Sequence, residues 1–121
     1  LPGVRELLVQ LREAGVKLAA ASASRNARVV LDRVGLTTLL DAVIDGHAAP
    51  KAKPDPQCFL LAAEALQVDP ADCVVVEDAP AGVEAALRAG MEVVGVGPVQ
   101  RDPRVAVGVP SLAAIGATGL M

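Results

Sequence analysis

Glu77 and Asp78 stand side by side directly after the apolar run Val74-Val75-Val76. Two carboxylates at a strand tip repel each other unless a cation neutralises them. A hard cation with oxygen ligands, Mg2+ first among them, fits that demand. The competing reading makes Asp78 the cap of the next helix and leaves Glu77 in solvent. A second group is Ser22-Ala23-Ser24-Arg25-Asn26. Small hydroxyl residues and free backbone N–H groups at the start of a helix make an anion site, although Ser and Asn are also ordinary caps. The third is Lys53, ahead of Pro54. Proline biases the residue before it toward extended backbone, so the Lys53 side chain can be held toward the carboxylates and a bound phosphate. Taken alone Lys53 reads equally as a solvated loop lysine, and Lys51 has no other reading. The three groups together describe a site for phosphate and Mg2+.

Those residues need a scaffold that brings them to one place, and the periodicity supplies one. Val4, Leu7, Leu8 and Leu11 form one helical face over 4–14, which Gly15 stops. Residues 16–21 suit a strand covered on both faces. A second helix is expected at 26–34 with Ala27, Val30, Leu31 and Val34 inward, ended by Gly35. Residues 42–45 are a short strand, and 46–54 a polar loop. A third helix begins near Asp55-Pro56, with Asp55 as N-cap and Pro56 at N1. It carries Phe59, Leu60, Ala63 and Leu66. A turn at 69–72 leads to the strand 73–76, a helix at 81–89 closed by Gly90, and a strand at 92–96. A last strand is expected near 105–109, and a weak helix near 111–117. Helices alternating with short apolar strands predict a doubly wound parallel α/β sheet. In such sheets ligands bind outside the carboxyl ends of the strands. Ser22–Asn26, Asp45–Lys53 and Glu77–Asp78 all fall there.

Composition narrows the chemistry further. The 121 residues carry one Phe, no Tyr and no Trp, and a net charge of −3. That leaves no basic field for nucleic acid and no set of rings for stacking bases. No apolar run reaches the ~18 residues of a membrane span, and no secretory signal is visible. Cys58 and Cys73 read as buried small hydrophobes in a reducing, cytoplasmic setting, and the lone His47 offers no zinc set.

The motifs resemble those of the haloacid dehalogenase (HAD) superfamily, in particular its β-phosphoglucomutase-like members and their sugar-phosphatase relatives. The resemblance covers residues 1–98 of what is read as one partial HAD-like core domain, 1–121. Leu-Pro-Gly-Val-Arg-Glu-Leu-Leu at the start resembles the family's return from cap to core. Residues 19–26, Ala-Ala-Ala-Ser-Ala-Ser-Arg-Asn, resemble the second family motif. Lys53-Pro54-Asp55-Pro56, with Phe59 three residues on, resembles the third. Val74-Val75-Val76-Glu77-Asp78 followed by Ala81-Gly82-Val83 resembles the fourth. The resemblance implies that Ser22 and the backbone of Ala23 bind the transferring phosphoryl group, that Lys53 neutralises it, and that Glu77 and Asp78 hold Mg2+. Ser24, Arg25 and Asn26 would hold the other phosphate of a small phosphorylated sugar. The implied reaction is phosphoryl transfer through an aspartyl-phosphate. It would be either a mutase converting β-glucose 1-phosphate to glucose 6-phosphate or a phosphatase.

The chain also departs from the family. The first family motif, a strand ending in Asp-x-Asp, would lie before Pro2, and no Asp-x-Asp occurs in the sequence. The nucleophile, the acid/base Asp and the cap are therefore expected outside these residues, and the 121 residues alone are expected to be inactive. A non-catalytic, phosphate-binding or oligomerising fragment is the alternative from another class. By the resemblance, the absent first core strand would lie between the strand ending at Ala21 and the one ending at Val76. Further residues of the same protein could fill that place, or a partner chain could associate there, or the two strands could close up directly.

Overall fold

In the computed structural model, which describes residues 3–22 and 24–109, helices and short strands alternate. Helix α1 (Val4–Glu13) leads to strand β1 (Ala19–Ala21). Helix α2 (Ala27–Arg33) and a single 3-10 turn (Thr37–Leu39) lead to β2 (Ala42–Ile44). Helix α3 (Gln57–Leu66) and a second 3-10 turn (Pro70–Asp72) precede β3 (Val74–Glu77). Helix α4 (Pro80–Arg88), β4 (Glu92–Val96), a third 3-10 turn (Gly97–Val99) and β5 (Val107–Val109) complete the described chain. The expected helix at 111–117 lies outside the described residues.

Every strand pair is parallel. β1 pairs with β2 from Ala19↔Ala42 to Ala21↔Ile44. β3 pairs with β4 from Val74↔Glu92 to Glu77↔Gly95, and β4 with β5 from Val94↔Val107 to Val96↔Val109. The strands form two sheets, β1-β2 and β3-β4-β5. β1 and β3 therefore do not pair with each other, and among the described residues each has a strand partner on one side only.

The core explains why the two sheets still belong together. Helices α3 and α4 supply Phe59, Ala62, Ala63, Val83, Ala85 and Ala86 to a cluster that also takes Ile44 of β2, Val75 of β3 and Val93 of β4. Val83 and Val93 have no exposed surface. Full burial of one such side chain stabilises by about 1.5–3 kcal/mol. On the opposite face Leu7 and Leu11 of α1 pack with Leu18 and with Val96 of β4. Val93 and Val96 thus point into different layers, and the sheet is doubly wound with helices on both faces. The α1 layer stops short of β3, so Val74 and Val76, which alternate with buried Val75, stay 48% and 39% exposed.

Several boundaries and faces correct the sequence expectations. Val30 of α2 and Val34 at its C-cap are 55% and 52% exposed, and Ala27 is that helix's one buried residue. The physical reason is that α2 packs chiefly on the 3-10 turn 37–39 rather than over a strand. α3 starts at Gln57, one residue after the expected N1 proline. Asp55 still accepts from the Gln57 N–H at 2.9 Å, so its capping role survives the shift. β3 begins at Val74 and includes Glu77. Cys58 is buried, but Cys73, just outside the strand, is half-buried and donates its thiol to the Asp69 carbonyl at 3.5 Å.

Candidate active site at the carboxyl ends of the strands

Parallel strands of one hand end on the same side of the molecule, and the polar groups gather there. β1 ends at Ala21, and Ser22 continues its ladder by donating its N–H to the Ile44 carbonyl at 2.8 Å. The loop that follows is folded on its own hydroxyls. Ser22 Oγ accepts from the Ser24 N–H and Ser24 Oγ from the Asn26 N–H, each at 3.1 Å. Those two N–H groups, expected to be free for an anion, are held by these hydroxyls in this state. Ser24, Arg25 and Asn26 are exposed. Ala23 lies outside the described residues.

Lys53 joins two of the three predicted groups. Its Nζ lies 3.0 Å from Glu77 Oε2 at the tip of β3 and 3.5 Å from the Ala21 carbonyl at the tip of β1. It also sits 4.8 Å from the centroid of the Phe59 ring. The bond before Pro54 is cis. The Lys53 and Glu77 side chains are only 22% and 10% exposed, so this pair is shielded from solvent far more than a surface ion pair. The solvated-loop reading of Lys53 does not hold.

The two carboxylates differ in role. Glu77 has both oxygens engaged, since Oε2 faces Lys53 and Oε1 accepts from the N–H groups of Asp78 and Ala79 at 3.1 and 3.2 Å. Asp78 is exposed. The N-cap position of α4 is Ala79, with no side-chain cap, so Asp78 is not spent as the helix cap. Among the described residues no group of three His, Cys, Asp or Glu side chains gathers at one point. Mg2+ commonly takes one or two protein carboxylates and fills its shell with water and phosphate oxygens. An exposed Asp78 beside an anchored Glu77 fits that donor set.

Three contributors carried no role in the sequence reading. The first is Gly82 in the first turn of α4. A Cβ built there would overlap the Glu77 carboxyl, so the glycine is the floor on which that carboxylate lies. The second is Asp45 at the tip of β2, which is 8% exposed. Its Oδ1 accepts from the N–H groups of His47 and Ala48, and its Oδ2 faces Arg28 Nε at 3.3 Å. The Ala48 N–H above all holds its carboxyl below the ordinary range, with His47 and Arg28 adding to the effect against the opposing pull of burial. Arg28 also donates to the Val43 carbonyl and Gly46 to the Ser24 carbonyl, which ties the Ser22–Asn26 loop to β2. The third is Phe59, beneath Lys53. Asp45 holds the same post-strand position as Ser22, and that position is the signal that marks it. Gly82 and Phe59 show their roles only when side-chain contacts are visible. Burial pushes the thiols of Cys58 and Cys73 up, with Asp72 and Asp69 adding at Cys73, so neither is a thiolate nucleophile at neutral pH.

The fold and its strand tips together define an α/β protein with a parallel, doubly wound sheet, a lysine–carboxylate pair and a hydroxyl loop at one end. The family model for haloacid dehalogenase-like hydrolases matches residues 1–90, and the chain belongs to that family. It is 47% identical over 97 residues to the β-phosphoglucomutase of Bacillus subtilis, covering 80% of this chain and 43% of that protein. It is 42% identical over 93 residues to the phosphorylated carbohydrates phosphatase of Thermotoga maritima, covering 75% and 43%. The crystal structure of β-phosphoglucomutase from Clostridium difficile superposes with a TM-score of 0.92 at 33% identity, over 99% of this chain and 54% of that one. The chain thus spans about half the length of the relatives it matches. Among the described residues no helix is long and apolar enough to cross a membrane.

Proposed function

We propose that these residues form the phosphate- and Mg2+-binding half of a HAD phosphotransferase acting on a small phosphorylated sugar. The observation that carries the reading is Lys53 Nζ held between the Glu77 carboxylate and the Ala21 carbonyl, at the tips of two strands that each have one strand partner among the described residues. A carboxylate nucleophile on a strand entering between β1 and β3 would emerge beside that ammonium. Ser22 and the Ala23 backbone bind the transferring phosphoryl group, and Lys53 offsets its charge. Ser24, Arg25 and Asn26 take the second phosphate. Asp78, with Glu77 beside it, holds Mg2+, which when bound supplies charge stabilisation to the phosphoryl oxygens. The phosphoryl group passes from the sugar oxygen to the aspartate of the added strand, and then to a sugar hydroxyl or to water. Similarity to β-phosphoglucomutase supports the first acceptor, and similarity to a carbohydrate phosphatase supports the second.

The test incubates the full-length protein with β-glucose 1-phosphate and Mg2+. Formation of glucose 6-phosphate supports the mutase, and release of phosphate alone supports the phosphatase. A folded protein doing neither, on this or other sugar phosphates, removes the proposal. The 121 residues alone are expected to turn over no phosphomonoester, because no Asp-x-Asp is present.

A further inference from the structure

The single phenyl ring of the chain lies against the lysine of the site. Phe59 sits on the first turn of α3, 7% exposed, and the Lys53 ammonium is 4.8 Å from its ring centroid. A ring face attracts a cation within about 6 Å. Phe59 also belongs to the main apolar cluster. The residues clustered around Phe59 are aliphatic or small, among them Ile44, Ala62, Ala63 and Val83, and the sequence builds the rest of its core without Tyr or Trp.

Lys53 has a four-carbon stem, and its Nζ can leave the site by a few bond rotations. Glu77 opposes that departure, but a carboxylate also cancels the charge it holds. A ring holds the ammonium through its quadrupole and leaves the full positive charge available to an anion. We infer that Phe59 is a positioning residue, whose ring keeps the Lys53 ammonium at the strand tips and oriented toward a bound phosphoryl group. The inference rests on the proposed role of Lys53 as the group that offsets phosphate charge.

The test compares the wild-type chain with Phe59→Leu, which keeps apolar bulk but no ring, and Phe59→Tyr, which keeps the ring. Phe59→Met replaces the leucine variant if that one fails to fold. The first readout is the proton shift of the Lys53 ε-methylene, together with its NOE to the Phe59 ring in the wild type. The ring current should move the methylene upfield in the wild type and in Phe59→Tyr, and the shift should vanish in Phe59→Leu. The second is the affinity for orthophosphate in the presence of Mg2+, expected to fall by about 3- to 10-fold in Phe59→Leu and to recover in Phe59→Tyr. Leu11→Val, a core change in the opposite layer, should leave that affinity unchanged and separates positioning from general loosening. Absence of the wild-type NOE, a methylene shift indifferent to Phe59→Leu, or a tyrosine variant that behaves like the leucine one each overturns the inference. If the wild type binds no orthophosphate, the phosphate reading of this chain falls, and the methylene shift still decides whether the ring holds the lysine.

Discussion

Gly82 shows how a residue without a side chain can organise a charged one. In an exposed helix interior, alanine is favoured over glycine by about 1 kcal/mol. At position 82 the added methyl would overlap the Glu77 carboxyl. Glu77 would then lose its place against Lys53 and against the N–H groups of Asp78 and Ala79. Overpacking of this kind costs about 1–3 kcal/mol, so the clash outweighs the propensity. Gly82→Ala is expected to destabilise the chain by about 1–2 kcal/mol in urea denaturation. In a Glu77→Ala background the same change should become neutral or stabilising, because the obstacle is gone. A double-mutant cycle with coupling below about 0.5 kcal/mol would show that Gly82 does not support Glu77.

Elements differ in how far the sequence announces them. β4 was expected at 92–96 and lies at Glu92–Val96, because a run buried on both faces leaves a continuous apolar signal. Lys53, Glu77 and Ser22 were legible as a group for a different reason, since each follows or approaches a strand end and parallel strands share that end. The exposure of the α2 face is not legible, because periodicity tells which residues share a side and not whether anything covers it. The stop of α3 was also not legible. No glycine stands there, yet Gln67 takes a left-handed backbone at φ 55. Its N–H bonds to Glu64, and the next N–H bonds to Ala63, which completes the helix end. A side chain in that conformation costs roughly 1 kcal/mol that glycine avoids. Gln67→Gly is expected to stabilise by about 0.5–1 kcal/mol, read as a rise in Tm.

The loop between β4 and β5 carries a pH signature. Arg104 donates through its Nε and Nη2 to Asp102 at 3.0 and 2.8 Å. Those side-chain bonds first, and the Arg104 backbone N–H next, bring the Asp102 pKa down to about 2. A carboxyl depressed on folding contributes stability that is present above its unfolded value, about 4, and lost as pH falls through about 2. Asp102→Asn should therefore lower Tm at pH 6, and the two curves should converge between about pH 4 and 2. A Tm difference that persists unchanged at pH 2 would assign the effect to something other than this charge.

At the scale of the whole molecule, the division into two sheets sets where stability resides. β4 is paired on both sides, and its Val93 and Val94 are 0% and 4% exposed. β1 is three alanines, all half-buried, paired on one side only among the described residues. An alanine strand brings little apolar area to the core, and an open edge leaves N–H and C=O groups to solvent. Local opening should therefore be least costly at β1–β2 and most costly at β4. α3 contacts both β1 and β2, which gives that pair its attachment to the larger core. Native-state hydrogen exchange should rank amide protection as β4 above β3, and β3 above β1. A strand that pairs with both free edges would remove the difference, raising protection at Ala21 and Val76 together because one insertion satisfies both. If β1 amides in the 121-residue chain already exchange as slowly as those of β4, the gap is closed in solution and has no room for the nucleophile strand.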